Sequence, residues 1–295
     1  MRLGGEGPSG NFEDRTGGGG GFGFGGGGGN MLGCLLPLVM SRFGLIGVAV
    51  LLLGYCALTQ LGGGGGLVPG GSPPNAPAGE STLSPESRAI LRGTLESTDR
   101  VWAQAFQTSG ARYTEPKLVA YTSGTQTGCG TGQAAMGPFY CPNDQSIYID
   151  PDFFNELARR FQAPGDFAQR YVIAHEVGHH VQNLEGTLDQ AQQAQARSSK
   201  TEGNAIQVGV ELQADCYAGV WAANAKDAQG QSVMEEGDLE EGMRAAEAIG
   251  DDTLQRQAQG TVVPESFTHG SSAQRMAALQ TGFRSGNPAA CKFNR

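Results

Sequence analysis

The apolar positions of residues 81–295 recur mostly at the three- and four-residue spacing of helices. One helix is predicted over residues 84–107, where Leu91 and Leu95 lie on a common face. Ser84 gives this helix a start, because a serine side chain accepts backbone N–H groups that have no partner inside the helix. The same spacing predicts further helices over residues 152–161, 167–184, 205–223, 237–248 and 272–281.

Two short stretches of the same region are rich in aliphatic and aromatic side chains and predict strands. They cover residues 117–121 and 145–149, and a loop rich in glycine, threonine and serine separates them. Residues 185–203 are polar and are expected to form a mobile loop. The pattern therefore predicts an α+β fold that is mainly helical, with a small antiparallel sheet and no internal repeat.

The region before residue 81 has a composition that does not support a packed core. Of the 48 glycines in this chain of 295 residues, 27 lie within the first 80 residues. A glycine-rich segment buries few side chains and loses much conformational freedom on ordering. We therefore expect a disordered tail over residues 1–42, a flexible linker over 62–80 and one folded domain over 81–295.

One apolar segment interrupts the glycine-rich region and is predicted to be a transmembrane anchor. Residues 43–58 are uncharged and mostly apolar, and their flank extends the anchor to residue 61, close to the ~20 residues that cross a bilayer. A cleaved signal peptide is the alternative, but the 42 preceding residues exceed its usual leading region. Arg42 precedes the anchor and residues 59–79 carry no charge, so the positive-inside rule places the N-terminus in the cytoplasm and the domain outside the cell membrane.

The charge of the domain region argues against a nucleic-acid partner. Residues 81–295 carry 17 lysines and arginines against 25 aspartates and glutamates. They contain no basic cluster of the kind that neutralises a phosphate backbone. We therefore expect no nucleic acid among the partners of the chain.

Four cysteines of the domain region suit two disulfides in an oxidising compartment. Four cysteines permit three pairings, of which Cys129 with Cys141 and Cys216 with Cys291 is favoured. Reduced thiols are the alternative. A cysteine-rich zinc site is disfavoured, because the sequence contains no C-x-x-C pair.

The clearest chemical signal is an H-E-x-x-H motif at residues 175–179, in a chain with only four histidines. On a helix, positions i and i+4 share a face, so His175 and His179 can hold one Zn²⁺ ion. Glu176 follows the first of them and is the expected catalytic base, which takes a proton from water. Two core histidines on an ordinary helix are the alternative interpretation.

A hydrolytic zinc site of this kind needs a third ligand, and a later helix offers one. The H-E-x-x-H-x-x-G-x-x-H class is excluded, because Gln182 and Glu185 stand where it has glycine and histidine. Glu211 begins an E-x-x-x-D motif on a largely apolar helix, where a buried acid needs a cation nearby. Asp215 is expected to support a ligand imidazole by accepting its second N–H group. Glu185 is the reserve ligand.

Three further residues have weaker signals. His180 is expected to be packed or exposed rather than to bind the metal. His269 precedes a helix that Ser271 or Ser272 caps, and it is a candidate catalytic residue that stabilises an oxyanion or acts as a transient fourth ligand. A structural turn residue is the alternative for His269. Arg275 is expected either to pair with an acid near the site or to lie on the surface.

Four motifs together resemble those of the bacterial neutral zinc metallopeptidases. They are Q-T-G-C-G at residues 126–130, G-P-F-Y-C-P at 137–142, H-E-V-G-H-H-V-Q at 175–182 and E-L-Q-A-D-C at 211–216. The resemblance implies a zincin-like peptidase domain of the gluzincin type, with one zinc ion held by His175, His179 and Glu211. It also implies that the segment 129–141 forms the substrate-side wall of the cleft.

These observations predict a zinc-dependent endopeptidase that acts on a protein or peptide substrate and is anchored in the membrane by one N-terminal helix. A non-catalytic, membrane-tethered zinc-binding scaffold is the first alternative, and it would not need a glutamate at position 176. Hydrolysis of a non-peptide substrate, such as a cell-wall amide, is the second alternative.

Overall fold

The structure is a computed structural model that describes residues 1–3, 10–17 and 80–292. Within these residues the helices are α1 (Pro85–Thr108), α2 (Asp152–Arg159), α3 (Asp166–Leu184), α4 (Thr187–Gln195), α5 (Lys200–Asn224), α6 (Asp238–Ala248), α7 (Asp251–Gln259) and α8 (Ser272–Ser285). The strands are β1 (Phe12–Asp14), β2 (Lys117–Ala120), β3 (Gly124–Thr127), β4 (Gly130–Gln133), β5 (Phe139–Cys141) and β6 (Ser146–Ile149). The domain is therefore mainly helical with small sheets, as the sequence predicts for an α+β fold.

Four of the strands form one mixed sheet in the order β1-β2-β6-β5. β1 and β6 run parallel to β2, whereas β5 runs antiparallel to β6. The expectation of an antiparallel sheet is therefore wrong for its two central strands. The chain between them forms the β3–β4 hairpin and then β5, a connection long enough to let β6 start at the same end of the sheet as β2.

Strand β1 lies in the part of the chain where the glycine content predicts a disordered tail. Its residues pair with Leu118, Val119 and Ala120 of β2, so the tail prediction is wrong for residues 10–17. A strand of three residues is too short to give a periodic signal, and its backbone hydrogen bonds come from a partner far away in sequence.

The predicted anchor over residues 43–61 lies outside the described residues, as does the linker over 62–80 except for its last residue. Cys34 and Cys56 lie there as well. Among the described residues, no helix combines the length and the apolar character needed to cross a membrane.

Helices α3, α5 and α8 pack together in the centre of the domain. Helix α3 is buried along most of its circumference, as its largely uncharged sequence predicts. Helices α5 and α8 approach closely because glycine stands at the contact on both. A Cβ atom at Gly219 would overlap the backbone of Leu279, and one at Gly282 would overlap that of Cys216. This packing fixes the start of α8 beside the helix that carries Glu211.

The polar region 185–203 contains helix α4, so the expectation of a mobile loop is wrong for its central part. Thr187 and Ala191 are the buried positions of this helix, which packs against α3 and α5. Only two buried positions in a sequence rich in glutamine give a weak amphipathic pattern. The tertiary contacts, rather than the pattern, establish the helix.

Two disulfides join distant parts of the domain. Cys129 is bonded to Cys141, and Cys216 is bonded to Cys291. This is the pairing that the sequence analysis favours among the three possible ones. The first bridge ties the β3–β4 hairpin to β5, and the second ties α5 to the chain beyond α8.

Candidate metal centre

Helices α3 and α5 cross where the histidine motif lies. Gly178, inside the motif, faces Ala214 of α5, and a Cβ atom at position 178 would lie 3.0 Å from both the Cα atom and the carbonyl oxygen of Ala214. The absence of a side chain at Gly178 therefore lets the two helices approach. This contact brings Glu211, three residues before Ala214, to the histidines of α3.

Gly178→Ala is expected to disturb the site without removing a donor atom. The added methyl group must displace the backbone of α5, and we expect a loss of stability of ~1–3 kcal/mol together with weaker metal binding. Gly203→Ala in α5 is the matched control, because its Cβ atom would meet nothing within 4 Å. Urea unfolding and zinc titration of both variants check the prediction, and similar results for the two would contradict it.

His175, His179 and Glu211 present three donor atoms to a common point. The Nε2 atoms of His175 and His179 lie 3.2 and 3.5 Å from Oε2 of Glu211. In a tetrahedral site with zinc–ligand bonds of about 2.0–2.1 Å, neighbouring donor atoms lie about 3.3 Å apart. The donor types and their spacing therefore fit a zinc ion, and this group could hold one.

Each histidine is oriented through its other ring nitrogen. Nδ1 of His175 lies 2.7 Å from Oδ1 of Asp215, and Nδ1 of His179 lies 2.9 Å from Oε1 of Gln182. Because both partners accept hydrogen bonds, the Nδ1 atoms carry protons. The Nε2 atoms face Glu211, and a metal ion bound there would replace the protons that they share with its carboxylate. The structure thus brings Asp215 to the predicted position.

Gln182 is a site residue that the sequence analysis missed, since it entered there only to exclude a ligand spacing. Its amide nitrogen donates hydrogen bonds of 2.8 Å to the carbonyl oxygen of Val210 and to the side chain of Gln213. These bonds fix the amide so that its oxygen faces His179. A glutamine three residues after a histidine has no distinctive signal in the sequence, because its role depends on α5.

The charges around the three donors favour a cation. Burial raises the pKa of Glu211, but the charge of His179 and the hydrogen bonds from both imidazoles hold that pKa well below its usual value. Burial lowers the pKa of His175, but the charge and hydrogen bond of Asp215 outweigh it and raise the pKa to about 10. The carboxylates therefore stay ionised inside the protein and attract positive charge.

Arg275 and Tyr171 complete the surroundings of Asp215. Nε and Nη2 of Arg275 donate to the two carboxylate oxygens of Asp215 at 2.8 and 2.9 Å, and the Tyr171 hydroxyl donates to Oδ1 at 2.6 Å. Arg275 is buried, so it pairs with an acid at the site and is not a surface cation. Because Arg275 neutralises Asp215, the charge of Glu211 remains for a metal. Tyr171 is a second missed residue.

A cavity of about 1030 Å³ opens over the donor residues. Glu176 is buried and lines this cavity beside His175. The opposing part of the chain includes residues 134–140, which lie between the first pair of disulfide-bonded cysteines and also line the cavity. The segment 129–141 thus contributes to the wall of the cleft, as the resemblance implies.

His269 lines the same cavity and is held by Asp251 at the start of α7. The backbone N–H groups of Thr268, His269 and Gly270 donate to Oδ2 of Asp251 at 2.7, 2.6 and 3.0 Å. Nδ1 of His269 lies 3.5 Å from Oδ1 of Asp251. The hydrogen bond to Asp251 raises the pKa of His269 although burial opposes it. Asp251 was missed because α7 itself was not predicted.

Two other candidate residues lie away from the donors. Oε2 of Glu185 accepts a hydrogen bond of 2.7 Å from the Tyr217 hydroxyl, so the reserve ligand is not brought to the site. His180 is fully buried, with Nδ1 3.0 Å from the Tyr140 hydroxyl and Nε2 2.6 Å from the carbonyl oxygen of Thr114. His180 is therefore a packed histidine.

A buried H-E-x-x-H helix thus faces a glutamate of a later helix, and together they offer a donor set that could hold a metal ion. The chain belongs to the family described as "Putative neutral zinc metallopeptidase", whose model matches residues 1–293, and the resemblance of the four motifs is thereby confirmed.

Relatives of the chain occur in distant bacteria. The chain is 45% identical over 297 residues to "Uncharacterized protein YpfJ" of Escherichia coli (strain K12), with 99% of this chain and 98% of that protein covered. It is 41% identical over 214 residues to "Uncharacterized protein Rv2575" of Mycobacterium tuberculosis (strain ATCC 25618 / H37Rv), with 70% and 69% covered. No solved structure matches the chain.

Proposed function

We propose that this chain is a zinc-dependent endopeptidase of the gluzincin type with a zincin-like domain, and that His175, His179 and Glu211 hold its one metal ion. The observation that carries the proposal is the spacing of the three donor atoms, 3.2 and 3.5 Å from the glutamate oxygen to the two imidazole nitrogens. These three residues line a cavity, and a zinc ion that they held would keep a position open for the reaction. The family description supports zinc and peptidase activity.

The side chains around the three donors have different roles in the proposed reaction. A zinc ion held there supplies Lewis-acid chemistry, polarising a carbonyl group and lowering the pKa of water. Glu176, adjacent to His175 in the cavity wall, accepts a proton from the attacking water and passes it to the leaving amine. Asp215 and Gln182 keep the two imidazoles in the tautomer that binds metal.

His269 is assigned the stabilisation of the oxyanion that forms at the scissile carbonyl. Its side chain is 52% exposed and lines the cavity, so it can reach a bound substrate. Since Asp251 raises the pKa of His269, the imidazole is more often protonated near neutral pH and can donate an N–H group. Arg275 is fully engaged by Asp215 and does not take this role.

Asp251→Asn is expected to move the basic limb of the pH profile of kcat/KM to lower pH. The carboxylate raises the pKa of His269, so its loss lowers that pKa and the active protonated form disappears at a lower pH. The amide oxygen still accepts the three backbone N–H groups, which preserves the loop. Asp252→Asn is the matched control, because Asp252 binds Ser272. An unmoved basic limb in Asp251→Asn would contradict the role of His269.

The shape of the cleft favours an extended peptide as the substrate. β5 is an edge strand of the mixed sheet, and the residues that lead into it line the cavity. An edge strand offers unpaired backbone groups to a peptide that adds to the sheet. Met136, 62% exposed, gives the same wall an apolar surface for a substrate side chain. These features support peptide hydrolysis over hydrolysis of a small cell-wall amide.

The two disulfides favour an extracytoplasmic location for the domain, because such bonds persist in oxidising compartments. This placement is part of the proposal. Its cellular substrates are then proteins or peptides outside the cytoplasm.

The proposal is tested with purified protein, its zinc content and an unstructured substrate such as casein, whose fragments are identified by mass spectrometry. We expect hydrolysis that a chelator abolishes and that added zinc restores. Bound zinc without any peptide hydrolysis would favour the non-catalytic scaffold. Cleavage of cell-wall amides but not of peptides would favour the alternative that the substrate is not a peptide.

A further inference from the structure

The earliest described segments of the chain are integral parts of the metal-binding domain. β1 is hydrogen-bonded to β2 at both ends: Leu118 N–H donates to the carbonyl oxygen of Asn11 at 2.8 Å, and Arg15 N–H donates to that of Ala120 at 2.7 Å. On another side of the domain, Arg2 N–H donates to the carbonyl oxygen of Val233 at 2.8 Å. These contacts join residues before the predicted anchor to residues far beyond it.

Asp14, at the end of β1, joins the outgoing chain to the returning chain. Its Oδ1 accepts hydrogen bonds from the backbone and the hydroxyl of Thr16 at 2.9 and 2.7 Å. Its Oδ2 accepts one from the Ser81 hydroxyl at 2.6 Å and is paired with Arg88 of α1. The Thr82 N–H also donates to the Thr16 hydroxyl at 3.1 Å. Residues 14–16 and residues 81–88, which lie on either side of the long segment 18–79 in sequence, are therefore in contact at one place.

The contacts of Asp14 are those of a stable junction, because the side chain is largely buried and all its described partners are polar groups of the domain. The side chain of Asp14 is 13% exposed. Its carboxylate oxygens accept hydrogen bonds from Thr16, before the segment 18–79, and from Ser81, after it. Burial raises the pKa of Asp14, but hydrogen bonds from Ser81, Thr16 and Arg88 outweigh it and lower the pKa to about 2. The carboxylate is thus ionised at every physiological pH and holds its partners.

We propose that residues 10–17 and residues 80–292 lie on the same side of the membrane. A segment whose two ends are hydrogen-bonded to each other cannot cross a bilayer once, because a single crossing would separate its ends by about 30 Å of hydrocarbon. A single-pass anchor with a cytoplasmic N-terminus would remove β1 from the sheet and break the Asp14 junction. The two ends of the segment that contains the apolar residues 43–61, at residues 17 and 80, therefore lie on the side of the domain.

Exchange of β1 between two copies of the chain does not rescue the single-pass arrangement. Every copy would carry its first residues on one side of the bilayer and its domain on the other. The edge of β2 that pairs with β1 would be on the wrong side of the bilayer in both copies. The same-side placement is thus required whichever chain supplies the strand.

Cysteine labelling in intact cells tests this placement with the full chain. Gly10→Cys reports on the first segment, since the position is exposed and its Cβ atom meets nothing within 4 Å, and Ala111→Cys reports on the domain surface. Both are made with Cys34 and Cys56 replaced by alanine, because the four domain cysteines are disulfide-bonded. A membrane-impermeant maleimide is applied before and after permeabilisation.

We expect the two cysteines to be labelled together, both before permeabilisation for an external domain. Labelling of both only after permeabilisation also supports the same-side proposal and instead contradicts the extracytoplasmic location proposed above. Labelling of Ala111→Cys from outside and of Gly10→Cys only after permeabilisation would overturn the proposal. The experiment therefore distinguishes failure of the same-side placement from failure of the extracytoplasmic location.

A zero-length cross-link tests whether β1 is paired in the membrane-bound protein. Oε2 of Glu13 lies 3.5 Å from Nζ of Lys117, so a carbodiimide should join them as an amide, with the water taken up as a urea. After trypsin digestion, the linked peptides of β1 and β2 are detected by mass spectrometry. Glu13→Gln is the matched control and should lose the product. Absence of the product from the unchanged protein would overturn the proposal.

Discussion

Glu176→Gln is expected to retain one zinc ion per chain and to lose peptide hydrolysis by about 10²–10⁴-fold, the range of a general base. The three donor atoms come from other residues, so metal binding has no reason to change. Glutamine has nearly the same size as glutamate but cannot accept a proton from water. We expect the loss mainly in kcat, because the side chain acts in the chemical step.

The measurement combines steady-state kinetics with the zinc content of the purified variant. Glu185→Gln is the matched control, since Glu185 directly follows the same helix, accepts a hydrogen bond from Tyr217 and lies outside the donor group. The control should retain most of its activity. Casein cleavage by Glu176→Gln at the unchanged rate would show that another group is the base.

Glu211→Gln is expected to weaken zinc binding by more than the about 10–100-fold that loss of a residue supporting a ligand usually costs. Glutamine keeps the size of the side chain and can still bond Gln207, which donates to Oε1 at 2.8 Å. The change therefore removes the anionic donor and little else. Two neutral imidazoles remain, which hold a divalent ion less well than the full set.

The affinity is measured by competition with a chelator of known zinc affinity. Asp215→Asn provides the comparison, because Asp215 contacts His175 but is not a donor, and it should stay within the about 10–100-fold range. Glu265→Gln, at an exposed position, should bind zinc like the unchanged chain. Equal losses in Glu211→Gln and Asp215→Asn would mean that Glu211 supports the site from outside the metal shell.

Long helices were predictable because their signals are local. Ser84 caps α1 as expected, with its side chain accepting the Ser87 N–H at 3.0 Å. The predicted bounds of helix α3 agree with the structure to within one residue at both ends. Helix α5 ends one residue after its predicted end but begins five residues before its predicted start. Elements such as β1 and α4 were missed, because they are short or polar and depend on partners distant in sequence.

The candidate donors could be chosen from the sequence because H-E-x-x-H and E-x-x-x-D place residues on common helix faces by spacing alone. The same spacing predicts the supporting role of Asp215, which contacts His175, but the other supporting residues could not be chosen in this way. Gln182 depends on the approach of α5, and Asp251 depends on the packing of α7 against the turn before α8. Gln182 stands three residues after His179, but a glutamine at that spacing is not a signal by itself, and Asp251 is 18 residues away from His269.

The sequence by itself determined the helical character of the domain, the family and the three residues that can donate to a metal, because each follows from local apolar spacing or from short motifs. Only the tertiary structure decided that Gln182 orients His179 and that β1 belongs to the sheet of the domain. The physical reason is that these features rest on hydrogen bonds and close helix contacts, at Gly178 and Asp14, between residues that the chain separates widely.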